Sequence, residues 1–577
     1  FYLDSKVLDG SYTQYANRIG LASGGKFLTD STDYVLDFPY KDCVLEGGQS
    51  TEEGNDVYFE YDEGANDYVE KTAKRKEIFY NNIIAKDEID RLLEPKAFQK
   101  VVRYDANGET IPTSFNRDAA LNRQRGLPED TITDNLIIKG NNLLALHSLE
   151  KEFKGKIQTV YIDPPYNTGN DSFAYNDRFN HSSWLTFMFN RLIKAKDLLK
   201  DDGSIFVQID DFEVSYLKVL LDIIFGSENF RNQITWKRRG GSANPSNRLN
   251  NVTDYILWYS KTESFKYYPI FSLDDDNTKK YIKERFNNVD ENGRRFMKSP
   301  IQSPNYRENL IYDYKGYKTP AKGYSISKDV MERWDAEGKL WFPPKKDQNI
   351  NRKIYLDEYQ GQPINSLWTD ISVINPMSKE RTDFMTGQKP EELILRFLKM
   401  TTDTEDIILD YHLGSGTTAL AAHKFGRKYI GIEQMDYVED FALPRLSKAI
   451  EGDGIGISKI VNWQGGGSFV YAELAKNNET AKERIDACNS LEELLQLFEE
   501  LNTRYFLDYN VRIKDFKENV IKEEAFINLS LARQKEIFKR MLDNNQLYVN
   551  LSEVEDARYK LSEDAIRLTK DFYQIKN

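Results

Sequence analysis

Cysteine and histidine are scarce in this chain of 577 residues, which contains two cysteines and four histidines. Cys43 and Cys488 lie far apart, and the histidines do not form a cluster with the spacing of zinc ligands. We therefore expect neither a disulfide framework nor a structural metal site. The sequence also lacks an apolar run long enough to cross a bilayer, and its first residues show no signal-peptide pattern. These absences predict a cytoplasmic protein without a membrane segment.

An excess of positive charge is missing as well, because the formal net charge is -13. That balance argues at first against a nucleic-acid partner, since DNA binding depends largely on the neutralisation of phosphates. The charge is unevenly distributed, however. Residues 279–353 carry 18 Lys and Arg against 10 Asp and Glu, whereas residues 1–70 carry 4 against 15. One basic segment therefore interrupts an acidic chain, and the acidic N-terminal stretch is typical of a solvated or partner-facing arm.

The length of the chain and its 40% hydrophobic content are sufficient for several domains. A succession of strand, turn and helix that is typical of α/β units runs through residues 131–262 and returns in residues 373–466. Residues 263–372 between them are rich in Tyr, Trp, Lys, Arg and Pro, which predicts an inserted domain. We interpret residues 1–130 as an accessory region. Helical periodicity predicts a C-terminal helical domain over residues 467–577.

The tetrapeptide Asp163-Pro164-Pro165-Tyr166 follows an apolar strand predicted at residues 159–162. Two prolines cannot continue a strand ladder, so we expect these residues at the carboxyl edge of the sheet, where open α/β sheets bind ligands. A carboxylate and a backbone carbonyl at that edge can each accept a hydrogen from an aromatic amine, which frees the nitrogen lone pair for attack on a methyl sulfonium. Asp163 and the carbonyl of Pro164 suit these roles, and Tyr166 suits stacking on an extruded base. The alternative is an ordinary strand-ending turn, since Asp-Pro is common in turns.

A second motif at residues 410–418, Asp-Tyr-His-Leu-Gly-Ser-Gly-Thr-Thr, connects a predicted strand to a helix predicted at residues 419–425. Glycines let the backbone approach a ligand closely at the N-terminus of a helix. The next predicted strand ends in Glu433, at about the spacing at which an acidic side chain binds the ribose hydroxyls of an adenosine. The alternative is a tight turn without a ligand. The acidic residue favours an adenosine-containing cofactor, and the missing third glycine disfavours a dinucleotide.

Taken together, the two motifs resemble the amino-methyltransferases of DNA in the β-class order, in which the catalytic motif precedes the cofactor motif. Within that class the chain is similar to the modification subunit of type III restriction-modification systems. Shorter motifs of the same family occur along most of the chain, namely Phe38-Pro39-Tyr40-Lys41-Asp42, Gly140-Asn141-Asn142-Leu143, Tyr355-Leu356-Asp357-Glu358, Leu367-Trp368-Thr369-Asp370-Ile371, Gln388-Lys389-Pro390 and Asn545-Gln546-Leu547-Tyr548-Val549-Asn550. The resemblance implies a Rossmann-like α/β sheet that binds S-adenosylmethionine, with an inserted α+β target-recognition domain.

The resemblance also implies roles for individual residues. Those implied to bind S-adenosylmethionine are Asn141, Asp163, Lys389, Asp410, His412, Gly414, Ser415, Gly416, Thr417, Thr418 and Glu433. Among them, Asn141 is expected near the adenine, Glu433 on the ribose and Lys389 at the methionine end. His412 departs from the family pattern, which usually has phenylalanine at this position. The residues implied to be catalytic are Asp163, Pro164, Pro165 and Tyr166, and no metal is needed.

The basic insert lies where this class carries its target-recognition domain. Its Lys and Arg are interleaved with Tyr and Trp, which suits phosphate contacts and the reading of base edges. Lys315 and Lys318 are candidate DNA contacts in the insert, and Lys237, Arg238 and Arg239 are candidates in a second phosphate-contacting loop. The alternative is that the aromatic side chains form a core and the basic ones a solvated surface.

The predicted function is therefore methylation of adenine N6 in double-stranded DNA. Three alternatives stay open: methylation of cytosine N4, a non-catalytic DNA-specificity module for a restriction partner, and methylation of RNA or protein. The resemblance further implies a homodimer and a nuclease-helicase restriction subunit as a possible partner. No readable code links the insert to a DNA recognition sequence.

Overall fold

The computed structural model describes residues 92–167, 181–238, 249–273, 276–375, 377–383, 387–505, 516, 520–522, 524–542 and 546–575, and four strands nearer the N-terminus. Those strands form two antiparallel pairs, β1 (Ala22–Ser23) with β2 (Lys26–Phe27) and β3 (Asn55–Asp62) with β4 (Asp67–Lys74). The chain divides into two compact units, of which the smaller comprises residues 269–370. Within the described residues, no helix is both long and apolar enough to span a membrane.

The first half of the larger unit alternates strands and helices. Its strands are β5 (Phe98–Asp105), β6 (Gly108–Thr110), β7 (Leu136–Lys139), β8 (Ile157–Ile162), β9 (Leu199–Ile209), β10 (Phe230–Lys237) and β11 (Thr253–Ser260). Its helices are α1 (Ala119–Gln124), α2 (Asn142–Phe153), α3 (His181–Leu198) and α4 (Val214–Phe225). The strand predicted from the apolar run at residues 159–162 is thus confirmed as part of β8.

The smaller unit is built from short strands and two helices. Its strands are β12 (Phe271–Ser272), β13 (Asn288–Val289), β14 (Arg295–Pro300), β15 (Leu340–Trp341), β16 (Asn351–Tyr355), β17 (Gln362–Pro363) and β18 (Leu367–Trp368), and its helices are α5 (Asp276–Arg285) and α6 (Lys328–Ala336). Four strands pair antiparallel in the order β13-β14-β16-β15, and Tyr324, Met331 and Ile350 are buried in a core beside them. Residues 263–268, which the sequence assigns to the insert, belong to the larger unit. There the N–H of Tyr268 donates to the carbonyl of Met400 at 2.7 Å.

The second half of the larger unit continues the alternation. It contains α7 (Glu391–Thr401), β19 (Ile407–Asp410), α8 (Thr417–Lys424), β20 (Lys428–Glu433), α9 (Leu443–Glu451) and β21 (Phe469–Leu474). The helices that follow are α10 (Asn478–Ala487), α11 (Leu491–Arg504), α12 (Glu524–Ile527), α13 (Leu531–Arg540) and α14 (Glu563–Phe572). Leu494, Phe498 and Phe538 belong to a hydrophobic core shared by α10, α11 and α13.

A mixed sheet forms the centre of the larger unit. Six neighbouring strands run parallel in the order β9-β8-β19-β20-β7-β21, and antiparallel strands extend it at both edges, β11 and β10 beyond β9 and β5 and β6 beyond β21. The chain continues from β8 to β9 on one side and from β19 to β20 on the other. The boundary between β8 and β19 is therefore the switch point at which open α/β sheets form a crevice at the carboxyl ends of their strands.

Two of the predicted domain boundaries divide this sheet. Strands β5 and β6 lie in residues 1–130, predicted as an accessory region, and β21 lies in residues 467–577, predicted as a helical domain. The reason is that β21 pairs with β7 and β5, which are remote in sequence and leave no signal in local periodicity. The C-terminal helix α14 also returns to β5, where the Thr569 hydroxyl accepts the N–H of Phe98 at 2.9 Å. These segments are part of the core.

Candidate active site

The two sequence motifs meet at one edge of the sheet. Strands β8 and β19 are parallel neighbours, with Thr159 opposite Ile408 and Val160 opposite Leu409. Asp163 follows the end of β8, and Asp410 is the last residue of β19. Because the carboxyl ends of parallel strands lie at the same edge, the Asp-Pro-Pro-Tyr corner and the glycine loop face one crevice, although they are far apart in sequence.

The Asp-Pro-Pro-Tyr corner is fixed by side-chain contacts at both ends. The Tyr166 hydroxyl donates to Oδ1 of Asp163 at 2.8 Å, and Oδ2 of Asp163 is ion-paired with the ammonium of Lys389. The indole N–H of Trp184 on α3 donates to the carbonyl of Pro165 at 2.8 Å. The side chain of Asp163 is still 24% exposed. The carboxylate is therefore anchored but remains accessible from the crevice.

A second carboxylate, which no sequence motif indicates, lies behind the corner. Asp254 on β11 has a fully buried side chain, and its Oδ2 lies 3.2 Å from the Tyr166 hydroxyl. The same oxygen accepts the Gln208 amide at 2.8 Å, and Nε of Arg238 lies 3.1 Å from Oδ1. Although that distance suits an ion pair, the two atoms do not have hydrogen-bond geometry. Burial raises the pKa of Asp254, while the positive charges of Lys389 and Arg238 oppose that rise.

Asp410 begins the glycine loop and is buried beneath it. Its Oδ1 accepts the N–H of His412 at 2.9 Å, and its Oδ2 accepts the hydroxyl of Thr418 at 2.6 Å. Burial raises the pKa of Asp410 to about 7, and the negative charges of Asp163 and Glu433 add to the rise. A carboxylate in this position is stabilised by a cationic ligand.

The glycine loop is held in shape by close packing and by an arginine. Gly416 has φ +83°, and a Cβ atom there would lie 2.9 Å from Cβ of Ala442. Nη1 of Arg445 on α9 donates to the Ser415 carbonyl at 2.7 Å and lies 3.3 Å from the Thr417 hydroxyl. Arg445 is not among the predicted site residues, because nothing in its local pattern indicates which loop it contacts. The loop is therefore preformed and supported from behind.

Glu433, at the end of β20, connects two turns of the backbone. Its Oε2 accepts the N–H of Gly414 at 2.8 Å, and its Oε1 accepts the N–H groups of Gln434 at 2.8 Å and Met435 at 3.0 Å. The contact with Gly414 places this carboxylate directly against the glycine loop. Its predicted role on the ribose stays a prediction.

Two further predicted cofactor residues have mainly structural contacts. Oδ1 of Asn141 accepts the N–H of Leu143 at 3.1 Å and so caps α2. His412 is buried, with its ring 6.0 Å from that of Phe187. Burial lowers the pKa of His412 to about 3, and nearby Arg191 contributes to the decrease. The imidazole is therefore neutral at neutral pH, which makes it a fair substitute for the phenylalanine usual in the family.

The predicted DNA contacts occur in both units. Lys237 is exposed at the end of β10, and Arg239 lies outside the described residues. Arg238 was predicted as a phosphate contact, but the structure pairs its half-buried guanidinium with Asp254 because that carboxylate is buried and requires a counter-ion. In the smaller unit Lys315 is ion-paired with Asp335, and Lys318 is exposed.

Comparison with known proteins decides the family. A protein-family model described as DNA methylase matches residues 157–443. A probable type III restriction-modification enzyme HindVI Mod subunit of Haemophilus influenzae is 42% identical over 684 aligned positions, which cover 100% of this chain and 89% of the relative. The chain belongs to the family of modification (Mod) subunits, which are DNA methylases. The type III EcoP15I Mod subunit of Escherichia coli is 28% identical over 55% of this chain and 59% of the relative. The predicted family is thereby confirmed.

Membership of the Mod family also confirms the prediction of a DNA methyltransferase, and S-adenosylmethionine is the methyl donor of this family. The residues at the crevice fit that cofactor. The carboxylates of Asp410 and Glu433 suit its positive charges and ribose hydroxyls, and the ammonium of Lys389 suits its carboxylate. The left-handed glycine at position 416 lets the backbone approach a ligand closely.

Proposed function

We propose that this methylase transfers a methyl group from S-adenosylmethionine to N6 of adenine in double-stranded DNA, as the modification subunit of a type III restriction-modification system. The observation that carries the proposal is the position of the Asp-Pro-Pro-Tyr corner and the glycine loop at the carboxyl ends of adjacent parallel strands. The similarity along the whole chain to the HindVI Mod subunit supports the choice of a type III system and of adenine.

The corner supplies the groups that act on the target amine. In the proposed mechanism the Asp163 carboxylate and the Pro164 carbonyl each accept one hydrogen of the amine, which draws the nitrogen lone pair out of the ring system. Tyr166 stacks on the extruded base and fixes its plane. The cofactor, when bound, supplies an activated methyl group on a sulfonium, and the nitrogen that accepts the methyl group loses its excess proton to solvent after the transfer. Alignment across the crevice provides most of the acceleration, because the methyl donor is already activated.

The cofactor residues are proposed to bind different parts of S-adenosylmethionine. Lys389 holds the methionine carboxylate, while Asp410 and Glu433 bind the positively charged and ribose portions. Arg445 keeps the glycine loop in position through the carbonyl of Ser415. Asn141, His412, Gly414, Ser415, Gly416, Thr417 and Thr418 complete the proposed cofactor site.

The smaller unit is the proposed target-recognition domain. Its strands and helices cover most of the segment in which Lys and Arg outnumber Asp and Glu. Lys318 and Lys315 are proposed to contact phosphates, together with Lys237 of the larger unit. A homodimer and a restriction subunit as partner remain part of the proposal, and sedimentation of the chain with and without DNA tests the dimer. The cytoplasmic location also stays a prediction.

The variant Asp163→Ala tests the proposed role of the corner. Tritium transfer from labelled S-adenosylmethionine to DNA is expected to fall by roughly 10²-fold to 10³-fold or more, the scale found when a group that stabilises the transition state is removed. Calorimetry should show nearly unchanged cofactor binding, because the carboxylate acts mainly on the amine. Asp201→Ala, at an exposed position, is the matched control and should retain full activity. Substantial residual transfer by Asp163→Ala would reject the assigned role.

The acceptor atom is identified by the mass of the methylated nucleoside after digestion of the product DNA. The proposal expects N6-methyldeoxyadenosine. Detection of N4-methyldeoxycytidine would show that the acceptor is cytosine N4 and not adenine N6. DNA binding without cofactor binding or methyl transfer would favour a specificity module. Methyl transfer to RNA or protein, with none to DNA, would overturn the proposal.

A further inference from the structure

The Tyr166 hydroxyl carries one hydrogen but has two carboxylates within reach. Its oxygen lies 2.8 Å from Oδ1 of Asp163 and 3.2 Å from Oδ2 of Asp254. A hydroxyl hydrogen moves between two such acceptors by rotation about the C–O bond, with little displacement of heavier atoms. The side chain that stacks on the base can therefore donate to either carboxylate.

Asp163 is already engaged at both oxygens. Oδ1 accepts from Tyr166, and Oδ2 is paired with the Lys389 ammonium. In the proposed function Asp163 must also accept a hydrogen from the target amine. Release of the Tyr166 hydrogen leaves Oδ1 of Asp163 without a donor from the protein, so the amine hydrogen no longer shares that oxygen with Tyr166.

Asp254 is built as an alternative acceptor. Its buried Oδ2 accepts the Gln208 amide at 2.8 Å and has a second lone pair for the Tyr166 hydroxyl, while the guanidinium of Arg238 lies 3.1 Å from Oδ1. The Gln208 amide is itself oriented, because its oxygen accepts the Tyr161 hydroxyl at 2.7 Å. Burial disfavours the ionised form of this carboxylate, and the charge of Arg238 and the hydrogen bond from Gln208 oppose that effect. Asp254 thus presents a fixed acceptor oxygen to Tyr166.

We propose that Asp254 is a positioning residue for methyl transfer, which takes the Tyr166 hydroxyl hydrogen bond when the target base enters and so frees Oδ1 of Asp163 for the amine. This inference rests on the proposed function. No covalent bond changes in the step: one hydrogen bond is exchanged for another, and Arg238 holds the charge of the new acceptor. Asp254 acts only through Tyr166 and does not touch the substrate.

A double-mutant cycle distinguishes this role from a purely structural one. Single-turnover methyl transfer at saturating cofactor and DNA is measured for Asp254→Asn, Tyr166→Phe and the double variant. Asp254→Asn should lower the rate roughly 10-fold to 100-fold, the scale of one hydrogen bond to a charged group, with little change in the dissociation constants for cofactor and DNA. In the Tyr166→Phe background, which lacks the hydroxyl, the same substitution should change the rate less than about 2-fold.

Asp222→Asn is the matched control, because Asp222 also accepts a tyrosine hydroxyl, that of Tyr259 at 2.7 Å, away from the crevice. It should leave the single-turnover rate unchanged in both backgrounds.

Arg238→Gln is a second test that does not depend on the folding of Asp254→Asn. It removes the counter-ion of Asp254 without touching Tyr166. It should lower the rate less than Asp254→Asn does, and this effect should also disappear in the Tyr166→Phe background.

Two results would overturn the role of Asp254: a decrease of equal size in both Tyr166 backgrounds, or an unchanged rate in Asp254→Asn and Arg238→Gln. These outcomes are separate from failure of the proposed function, which would appear as absence of methyl transfer to DNA by the unsubstituted protein.

Discussion

Asp410 occupies a buried position in which its ionised form is disfavoured. Burial raises its pKa to about 7 from the ordinary value of 3.8, despite hydrogen bonds from His412 and Thr418. Between about pH 4 and pH 7 the folded chain therefore binds more protons at this site than the unfolded chain. The contribution of Asp410 to stability decreases as pH rises through that window and is constant above it.

The variant Asp410→Asn should remove this pH dependence. The free energy of unfolding of the variant minus that of the wild type should become more positive as pH rises from 5 to 8. The increase should be at most about 3 kcal/mol, because this window covers about two pKa units of the shift. Urea unfolding of the cofactor-free proteins at several pH values measures it. Affinity for S-adenosylmethionine should fall about 10-fold or more, because the amide carries no charge. Asp201→Asn is the exposed control, and a difference that does not vary with pH would contradict the assignment.

Residues of the site differ in how far the sequence could identify them. Asp163, Tyr166 and Gly416 stand in motifs where a strand end or a helix start explains the residue type. The sequence indicates Asp254 only weakly, as a single carboxylate in an apolar strand, and it does not indicate Arg445 at all. The roles of these two residues depend on contacts with residues far along the chain, which local patterns do not contain.

At the scale of elements, local patterns predicted the strands and helices that flank the site. The helix predicted from residue 419 begins slightly earlier, at Thr417, because Gly416 adopts a left-handed conformation that ends the turn and starts α8. By contrast, β21 was assigned to a helical region. Its place in the sheet depends on pairing with β7 and β5, a tertiary preference that no local window shows.

Two glycines at opposite ends of α8 allow a matched test of the loop. Both glycines have a positive φ, +83° at Gly416 and +68° at Gly426, so alanine is strained at either position. The Cβ atom of Gly416→Ala would lie 2.9 Å from Cβ of Ala442, whereas that of Gly426→Ala would have only Cγ2 of Thr404 nearby, at 3.9 Å. Both should decrease the free energy of unfolding by about 1 kcal/mol because of the left-handed backbone. Gly416→Ala should decrease it further and should weaken cofactor binding about 10-fold, because the loop must move. Urea unfolding and calorimetry measure both effects, and equal cofactor affinities would refute the proposed shape requirement.

At the scale of the whole molecule, the two halves of the core are interleaved. Strands β19 and β20 lie between β8 and β7, so the crevice forms only when both halves have folded together. The smaller unit interrupts the chain after β11 and before α7, and it therefore leaves every strand of the parallel core intact. The order of motifs predicted this division, although it did not predict the exchange of strands at the edges.

The salt dependence of DNA binding tests whether the smaller unit supplies the proposed phosphate contacts. The double variant Lys315→Gln/Lys318→Gln should weaken DNA binding and reduce the slope of log Kd against log salt by about 0.9 for each phosphate that is no longer neutralised. Affinity for S-adenosylmethionine should not change, because the proposed cofactor residues all lie in the larger unit. Lys154→Gln/Lys560→Gln, at two exposed positions of the larger unit, removes the same charge. If the two double variants reduce the slope equally, the effect is one of net charge, and the smaller unit does not provide the phosphate contacts assigned to it.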